Sequence, residues 1–154
     1  MQLSRFTDLG LRAMMRLAVS GRADERVTAK LVARQVNASE HYVAKAVSRL
    51  AELGFVASHR GRSGGIFLTD EGRAATVGQI VRALEGDAEV VECLGEHPCP
   101  LAGNCRLRRV LRDAQEAFYQ ELDRYTLADL VTARTVELLH LSALPAALRN
   151  QETS

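Results

Sequence analysis

Three cysteines stand close together in the second half of the 154-residue chain, and they are the residues best suited to bind a cofactor. Cys93, Cys99 and Cys105 are separated by five residues each time, and the chain has no other cysteine. Thiolates are the soft ligands that zinc and iron–sulfur clusters prefer. Structural zinc more often uses pairs of ligands about two to four residues apart, so the even spacing favours an iron–sulfur cluster. A thiol switch without metal and simple buried cysteines are the alternatives.

Three sulfurs leave such a cluster one ligand short. The same segment offers His97, Glu92 and Glu96, and a remote residue or a small molecule could also complete the set. The spacing does not choose among them. Glycines and prolines interrupt the segment and predict an irregular loop over residues 88 to 105, because they disfavour regular helix and central strand. These residues are Gly95, Pro98, Pro100 and Gly103.

A second set of residues, nearer the N-terminus, is suited to reading DNA. Thr28 is predicted to begin a short helix, Asn37 to end it, and Ser39 to cap a further helix that ends at Gly54. Two short helices joined by a tight turn are typical of a helix-turn-helix, whose second helix enters the major groove. Opposite its apolar stripe, that second helix would present polar side chains to DNA, whereas the alternative is a solvated helix face. They are Ser39, His41, Tyr42, Lys45, Ser48 and Arg49, and Thr28 is a further candidate contact.

A hairpin is predicted directly after this pair of helices. Residues 55–58 and 66–68 have the apolar character of short strands, and three glycines between them permit a tight turn. The tip carries Arg60 and Arg62. Arginines at such a tip contact phosphates or the minor groove, unless the tip is only solvated. The whole segment therefore predicts a winged helix that binds double-stranded DNA.

The remaining elements must position these two sites. Apolar residues at helical spacing predict a first helix over residues 3–20, and Thr76 with Gln79 has the spacing of a capping box that begins another helix. A long helix is predicted over residues 106–124, with a nearly heptad apolar seam that could pack against a partner helix. The fold class is mainly α with a small β-hairpin wing. We predict a winged helix-turn-helix domain over 1–75, then a cluster-binding loop and dimerisation helix within 76–154.

Charge is divided unevenly between the two halves. Residues 1–75 hold 12 Lys and Arg against 7 Asp and Glu, a net of +5, whereas residues 76–154 hold 8 against 12, a net of −4. A basic half suits a polyanion and an acidic half does not.

An odd number of cysteines argues against a disulfide framework. No apolar run has the length of a membrane span and no signal peptide is evident, so we expect a cytoplasmic protein. No catalytic motif is evident, so we expect no enzyme.

Taken together, these features resemble the winged-helix iron–sulfur transcriptional regulators, a family that includes the NsrR and IscR types. The resemblance runs from residue 1 to about residue 135 and includes the sequence Phe6-Thr7-Asp8. Its most specific parts are the Arg-Gly-x-x-Gly-Gly sequence of the wing, residues 60–65, and the cysteine triplet.

Within the family, the chain is most similar to the NsrR type, which implies a nitric-oxide-sensing repressor. The IscR type has a histidine ligand three residues after its last cysteine, where this chain has Arg108. The resemblance therefore favours a 4Fe–4S cluster over a 2Fe–2S cluster. It also implies that an aspartate near the start of the other subunit's first helix is the fourth ligand, and the matching residue is Asp8. An acidic residue in the first turn of a helix is favoured by the helix dipole in any case.

The resemblance further implies a homodimer that binds a roughly palindromic operator and is released when nitric oxide nitrosylates the cluster. The alternative is another redox-responsive, thiol-responsive or zinc-responsive winged-helix regulator, for example an IscR-like regulator of cluster homeostasis.

Overall fold

The computed structural model describes residues 3–19, 26–59, 61, 64–86 and 89–141. Within these ranges the chain is mainly helical and contains one two-stranded hairpin, which confirms the predicted fold class. None of the described helices is long and apolar enough to cross a membrane. The elements, in chain order, are α1 (Arg5–Val19), α2 (Ala29–Gln35), α3 (Glu40–Glu52), β1 (Val56–Ser58), β2 (Ile66–Leu68), α4 (Asp70–Ala74), α5 (Val77–Glu85), a 3-10 turn (Ala102–Asn104), α6 (Arg106–Leu122), α7 (Leu127–Leu130) and α8 (Ala133–Leu141).

The helix-turn-helix has the predicted boundaries. The Thr28 hydroxyl accepts a hydrogen bond from the Leu31 amide at 3.2 Å and so caps α2. Asn37 ends α2 in the left-handed region, with φ +52°. Ser39 precedes α3 in an extended conformation, but its side chain makes no capping bond. Only its backbone starts the helix, since the Ser39 carbonyl accepts from the Val43 amide at 3.0 Å. The predicted side-chain cap at Ser39 is therefore wrong.

The wing is an antiparallel hairpin, as predicted. β1 and β2 pair with Val56 opposite Leu68 and Ser58 opposite Ile66. Gly61 at the turn has φ +113°, a conformation that glycine adopts without strain. The Ile66 amide donates to the Val27 carbonyl at 2.8 Å, which fixes the hairpin to the segment before α2. The helix-turn-helix and the wing are thus joined by a backbone hydrogen bond.

The core lies where α1, α3 and the hairpin meet α5 and α7. Its largest fully buried apolar side chains include Met14, Leu50, Ile80 and Leu127. Ile80 and Leu127 come from elements beyond residue 75 and belong to the same apolar cluster as Met14 and Leu50. The helix-turn-helix and the wing are therefore packed against α5, which precedes the cysteine loop, and α7, which follows α6.

The two helices that flank the cysteine loop are joined to each other by Arg82 of α5. Its guanidinium donates to Glu116 of α6 at 2.8 and 3.0 Å and to Asp123 at 3.4 Å. It also lies over the Tyr119 ring, 4.4 Å from the ring centroid. The predicted capping box of Thr76 and Gln79 at the start of α5 is confirmed. The Thr76 hydroxyl also donates a hydrogen bond to the Asp123 carboxylate at 2.6 Å. α6 ends at Leu122, two residues earlier than predicted.

The short helix α4 was not predicted from the sequence. The Thr69 hydroxyl caps it by accepting from the Gly72 amide at 3.0 Å, and it donates to the Gly54 carbonyl at 2.6 Å. Gly72 is buried against the backbone of Phe55, so that a Cβ at this position would lie 2.0 Å from the Phe55 carbonyl oxygen. The close approach requires glycine.

We expect Gly72→Ala to lower the free energy of unfolding by about 2–3 kcal/mol, because neither backbone segment can move aside cheaply. Gly10→Ala is the matched control, since its Cβ would meet only the end of the Leu84 side chain, at 2.7 Å. That control should lose less than about 1 kcal/mol, because alanine also has the higher helix propensity. Urea unfolding of both variants measures the difference, and equal losses would show that the Phe55 contact does not constrain Gly72.

Candidate functional site

The outer face of α3 carries the predicted DNA-reading side chains. All six are exposed, whereas Val43, Ala46 and Leu50 on the opposite side are fully buried. We call these six residues the recognition face: Ser39, His41, Tyr42, Lys45, Ser48 and Arg49. Lys45 has no carboxylate partner among the described residues, and Arg49 donates to Glu52 at 3.0 Å. The face is therefore polar, accessible and held by a rigid packed helix.

The start of α1 borders the recognition face. Phe6 lines the same shallow depression as His41, Lys45 and Ser48. The Arg5 guanidinium carbon lies 5.7 Å from the centroid of the Tyr42 ring. His41 packs edge-on against the same ring, with 5.7 Å between the ring centroids. The N-terminal turn of α1 is thus part of this surface.

Of the three remaining predicted DNA contacts, the structure describes only Thr28. Thr28 is half-buried at the start of α2, where its oxygen is used as a cap. Arg60 and Arg62 lie outside the described residues. The base of the hairpin that carries them is described, and there the His59 ring stacks on the Phe67 ring with 4.8 Å between the ring centroids.

The cysteines occupy one loop between α5 and α6. All three are half-buried and none forms a disulfide. The Cys99 amide donates to the Cys93 carbonyl at 3.0 Å, which folds the segment back on itself. Cys105 is the N-cap of α6, and its sulfur accepts from the Arg108 amide at 3.4 Å.

Arg108 connects the two ends of the cysteine loop. Its guanidinium donates to both carboxylate oxygens of Glu89, at 2.6 and 2.8 Å, and to the Ala102 carbonyl at 3.2 Å. Hydrogen bonding to Glu89 raises the pKa of Arg108, and attraction to Cys93 and Cys105 adds to the rise. The same guanidinium lowers the pKa of Glu89. The sequence identified Arg108 only as a residue that cannot ligate iron. No spacing signal could have revealed its pairing with Glu89, 19 positions away.

The donor set has the chemistry that an iron–sulfur cluster requires. Three half-buried thiols that form no disulfide lie on one loop, beside the Arg108 guanidinium, and thiolates are the ligands that such a cluster prefers. In the part of the chain that the structure describes, no three His, Cys, Asp or Glu side chains are grouped as metal ligands. The three thiols are therefore not gathered around a common centre in the described part of the chain. Glu92, Glu96 and His97 are exposed on this loop.

Asp8 lies on α1, away from the cysteine loop in sequence. It pairs with Arg12 one turn later, with 2.8 Å between Oδ1 and Nε, and 43 % of its side chain is exposed. Its carboxylate is therefore accessible from outside the chain.

One further contact connects the end of α5, the helix that precedes the cysteine loop, to α1. Glu85, the last residue of α5, accepts a hydrogen bond from the Ser4 amide at 2.8 Å. Burial raises the pKa of Glu85, but hydrogen bonds from Thr7 and Ser4 outweigh it and hold the pKa below its ordinary value. Ser4 in turn caps α1, since its hydroxyl accepts from the Thr7 amide at 3.1 Å. The start of α1 is thus attached to the element that enters the loop.

Comparison with known proteins assigns these features to regulators of transcription. A family model described as "Rrf2: Iron-dependent Transcriptional regulator" matches residues 3–133. The HTH-type transcriptional repressor NsrR of Streptomyces coelicolor is 55% identical over 139 residues, which cover 90% of this chain and 94% of that protein.

Solved structures show the same fold. CymR (YrzC), described as the global cysteine regulator of B. subtilis, is 35% identical with a TM-score of 0.60, and the match covers 84% of this chain and 95% of CymR. IscR of T. potens is 28% identical with a TM-score of 0.64, over 84% of this chain and 85% of that one. These relatives are transcriptional regulators, so they indicate no catalytic function.

Proposed function

The chain belongs to the Rrf2 family of transcriptional regulators, and we propose that it is a nitric-oxide-sensing repressor that binds operator DNA as a homodimer. The observation that carries this proposal is the loop with three free thiols, placed between α5, which packs against α1 of the winged helix, and α6, which packs against α5. The 55% identity to a repressor named NsrR supports it. In this proposal residues 1–75 bind DNA, and residues 76–154 hold the cluster and form the dimer.

Cys93, Cys99 and Cys105 would hold a 4Fe–4S cluster, and the partner subunit's Asp8 would complete the ligand set. The cluster, when bound, would supply iron that reacts with nitric oxide. A ligand from the partner is consistent with the exposure of the Asp8 carboxylate. Arg108 would offset the negative charge of the thiolates and keep the loop attached to α6.

The exposed apolar side of α6 supports a homodimer. α6 is a helix of 17 residues, and it leaves large apolar side chains open to solvent. Leu107 is 63% exposed and Val110 is 56% exposed. Leu111, Phe118 and Leu122 of the predicted seam are half-buried. Apolar side chains in this arrangement are covered when two such helices cross. A twofold dimer would place two recognition faces on a palindromic operator.

A path of contacts connects the end of α5, the helix that precedes the cysteine loop, to the recognition face. The loop follows Glu85, which is hydrogen-bonded to Ser4, and the next residue, Arg5, contacts Tyr42 of α3. A displacement of the loop would therefore move the start of α1 and, with it, the surface around α3. Such coupling requires that the two states of the loop favour different positions of these elements.

A winged-helix regulator that responds through thiols or zinc is the second candidate, and an IscR-like regulator of cluster homeostasis is a related one. The free, half-buried thiols and the structural similarity to CymR favour the thiol-responsive alternative. The experiment that separates these functions is anaerobic purification followed by a visible spectrum and analysis of iron, sulfide and zinc. We expect a brown protein with about four irons per chain. A colourless protein that holds zinc or no metal would favour the second candidate.

We expect Asp8→Ala to alter the visible circular dichroism of the bound cluster and to weaken operator binding, because the loop would lose its connection to the partner's α1. Three cysteines should still retain a cluster, and Asp8→Cys should give a more stable, all-sulfur site, since thiolate is the preferred ligand. Anaerobic circular dichroism and operator titrations measure both effects.

Arg12→Ala serves as the control for Asp8. It removes the ion pair that Asp8 makes on its own helix, worth about 0.3–0.5 kcal/mol, but keeps the carboxylate. We expect its cluster spectrum to match that of the original chain. If Asp8→Ala also gives an unchanged cluster spectrum, Asp8 is only a residue that favours the start of α1.

A further inference from the structure

Arg5 has an unusual environment among the arginines near the recognition face. Arg12 is paired with Asp8 and Arg49 with Glu52, each in a hydrogen-bonded ion pair. Arg5 is exposed, and no carboxylate pairs with it among the described residues. The guanidinium of Arg5 instead lies over the ring of Tyr42, with 5.7 Å between the guanidinium carbon and the ring centroid. Its positive charge is therefore not neutralised within the described part of the chain.

The contact with Tyr42 leaves the donors of Arg5 available. A guanidinium packs on an aromatic ring through its flat face, whereas its N–H groups point outward along the edge. A carboxylate partner would occupy those N–H groups, but an aromatic ring does not. The arginine is thus held in place while it retains the donors that match a phosphate.

The position of Arg5 places these donors at the border of the recognition face. Tyr42 lies in the first turn of α3, half of its side chain is exposed, and Lys45 follows on the same outer face. In a helix-turn-helix the first turns of the second helix lie nearest the base edges, while flanking elements meet the sugar–phosphate backbone. A side chain that projects from α1 beyond Tyr42 would meet the backbone rather than the bases.

We propose that Arg5 is a DNA-backbone contact, with its guanidinium packed on Tyr42 and donating to a phosphate beside the groove that α3 enters. This inference rests on the proposed binding of DNA through α3, and it adds to that surface a residue from outside the helix-turn-helix. Because a phosphate carries no sequence information, Arg5 contributes equally to operator and non-operator DNA.

The test measures binding of the full-length, anaerobically purified protein to a mixed-sequence duplex of about three helical turns, over a series of KCl concentrations. We expect Arg5→Gln to weaken binding about five- to tenfold at low salt and to reduce the log–log salt slope by about one, because one phosphate contact is lost. Arg5→Lys keeps the charge and should keep the slope. Arg134→Gln on α8 is the matched control, since Arg134 is exposed and paired with Glu137 at 2.9 Å, and it should match the original chain.

Tyr42→Leu tests the packing separately. It should weaken binding, because the guanidinium is no longer held over a ring, and Arg5→Gln should then cost less than in the original chain. An unchanged salt slope for Arg5→Gln, in a variant with the original helix content and unfolding midpoint, would overturn the proposal, and so would equal effects at Arg5 and Arg134. A chain that does not bind the duplex at all would overturn both this proposal and DNA binding through α3. A colourless protein, or one insensitive to nitric oxide, would contradict only the proposed sensing.

Discussion

Replacing Cys93, Cys99 or Cys105 with alanine, one at a time, should abolish the visible absorbance of the anaerobically purified protein. Each cysteine is one of only three that the chain possesses, so the loss of any one leaves only two thiolate ligands, which are too few to hold the cluster. The helix content should remain, because all three cysteines lie on a loop outside the buried apolar core. Iron analysis and far-ultraviolet circular dichroism measure the two properties on the same samples.

Cys105 allows a more exact version of this experiment. Its sulfur also caps α6, so Cys105→Ala should cost about 1 kcal/mol of stability that Cys93→Ala does not. Cys105→Ser replaces the sulfur with an oxygen that caps a helix well but ligates cluster iron poorly. We therefore expect Cys105→Ser to keep the stability and lose the cluster. Leu101→Ala, at an exposed position of the same loop, is the control and should keep the cluster. A full complement of iron in any single cysteine variant would show that this cysteine is not an essential ligand.

Lys45→Ala and Arg49→Ala should each weaken operator binding about tenfold and leave the cluster spectrum unchanged. Each variant removes a cation from the recognition face, and each lost phosphate contact should reduce the log–log salt slope by about one. The effect should be larger at Lys45, because Arg49 must first give up its hydrogen bond to Glu52. We expect Arg62→Ala in the wing to behave in the same way.

Binding titrations over a range of salt concentrations measure both the affinity and the slope of these variants. Arg124→Ala serves as the control, since Arg124 is exposed, follows α6 and pairs with Glu121. If all three variants show the affinity and slope of the original chain, the DNA-binding face lies elsewhere on the molecule.

The sequence predicted most elements of the fold because their ends carry local signals. Thr28 and Thr76 cap helices with their hydroxyls, and the residues at 54 and 61 adopt positive φ as glycines can. The sequence did not predict α4, because a glycine in the middle of a segment disfavours a helix. Gly72 is explained only by its close approach to the backbone of Phe55, which is far from it in the sequence. Local patterns reveal caps and turns, but they do not reveal where two distant backbone segments approach each other.

The candidate sites were predictable to the extent that they lie on one element. The alternation of buried and exposed positions along α3 followed directly from helical spacing. The bond between Arg108 and Glu89 and the contact of Arg5 with Tyr42 join residues of different elements, so they depend on the tertiary fold. The proposed role of Asp8 as a cluster ligand depends on a second subunit, and a single chain's sequence pattern carries no physical signal for that.

The most direct test of the proposed sensor is to follow DNA binding and the visible spectrum of one anaerobic sample while nitric oxide is added in steps. The DNA is an operator duplex selected by the protein itself from a randomised pool. We predict that the brown protein binds this duplex tightly, and that affinity falls at least tenfold in parallel with the change in the visible spectrum. Affinity that stays constant while the spectrum changes completely would contradict the proposed function, because the cysteine loop would then not control the recognition face.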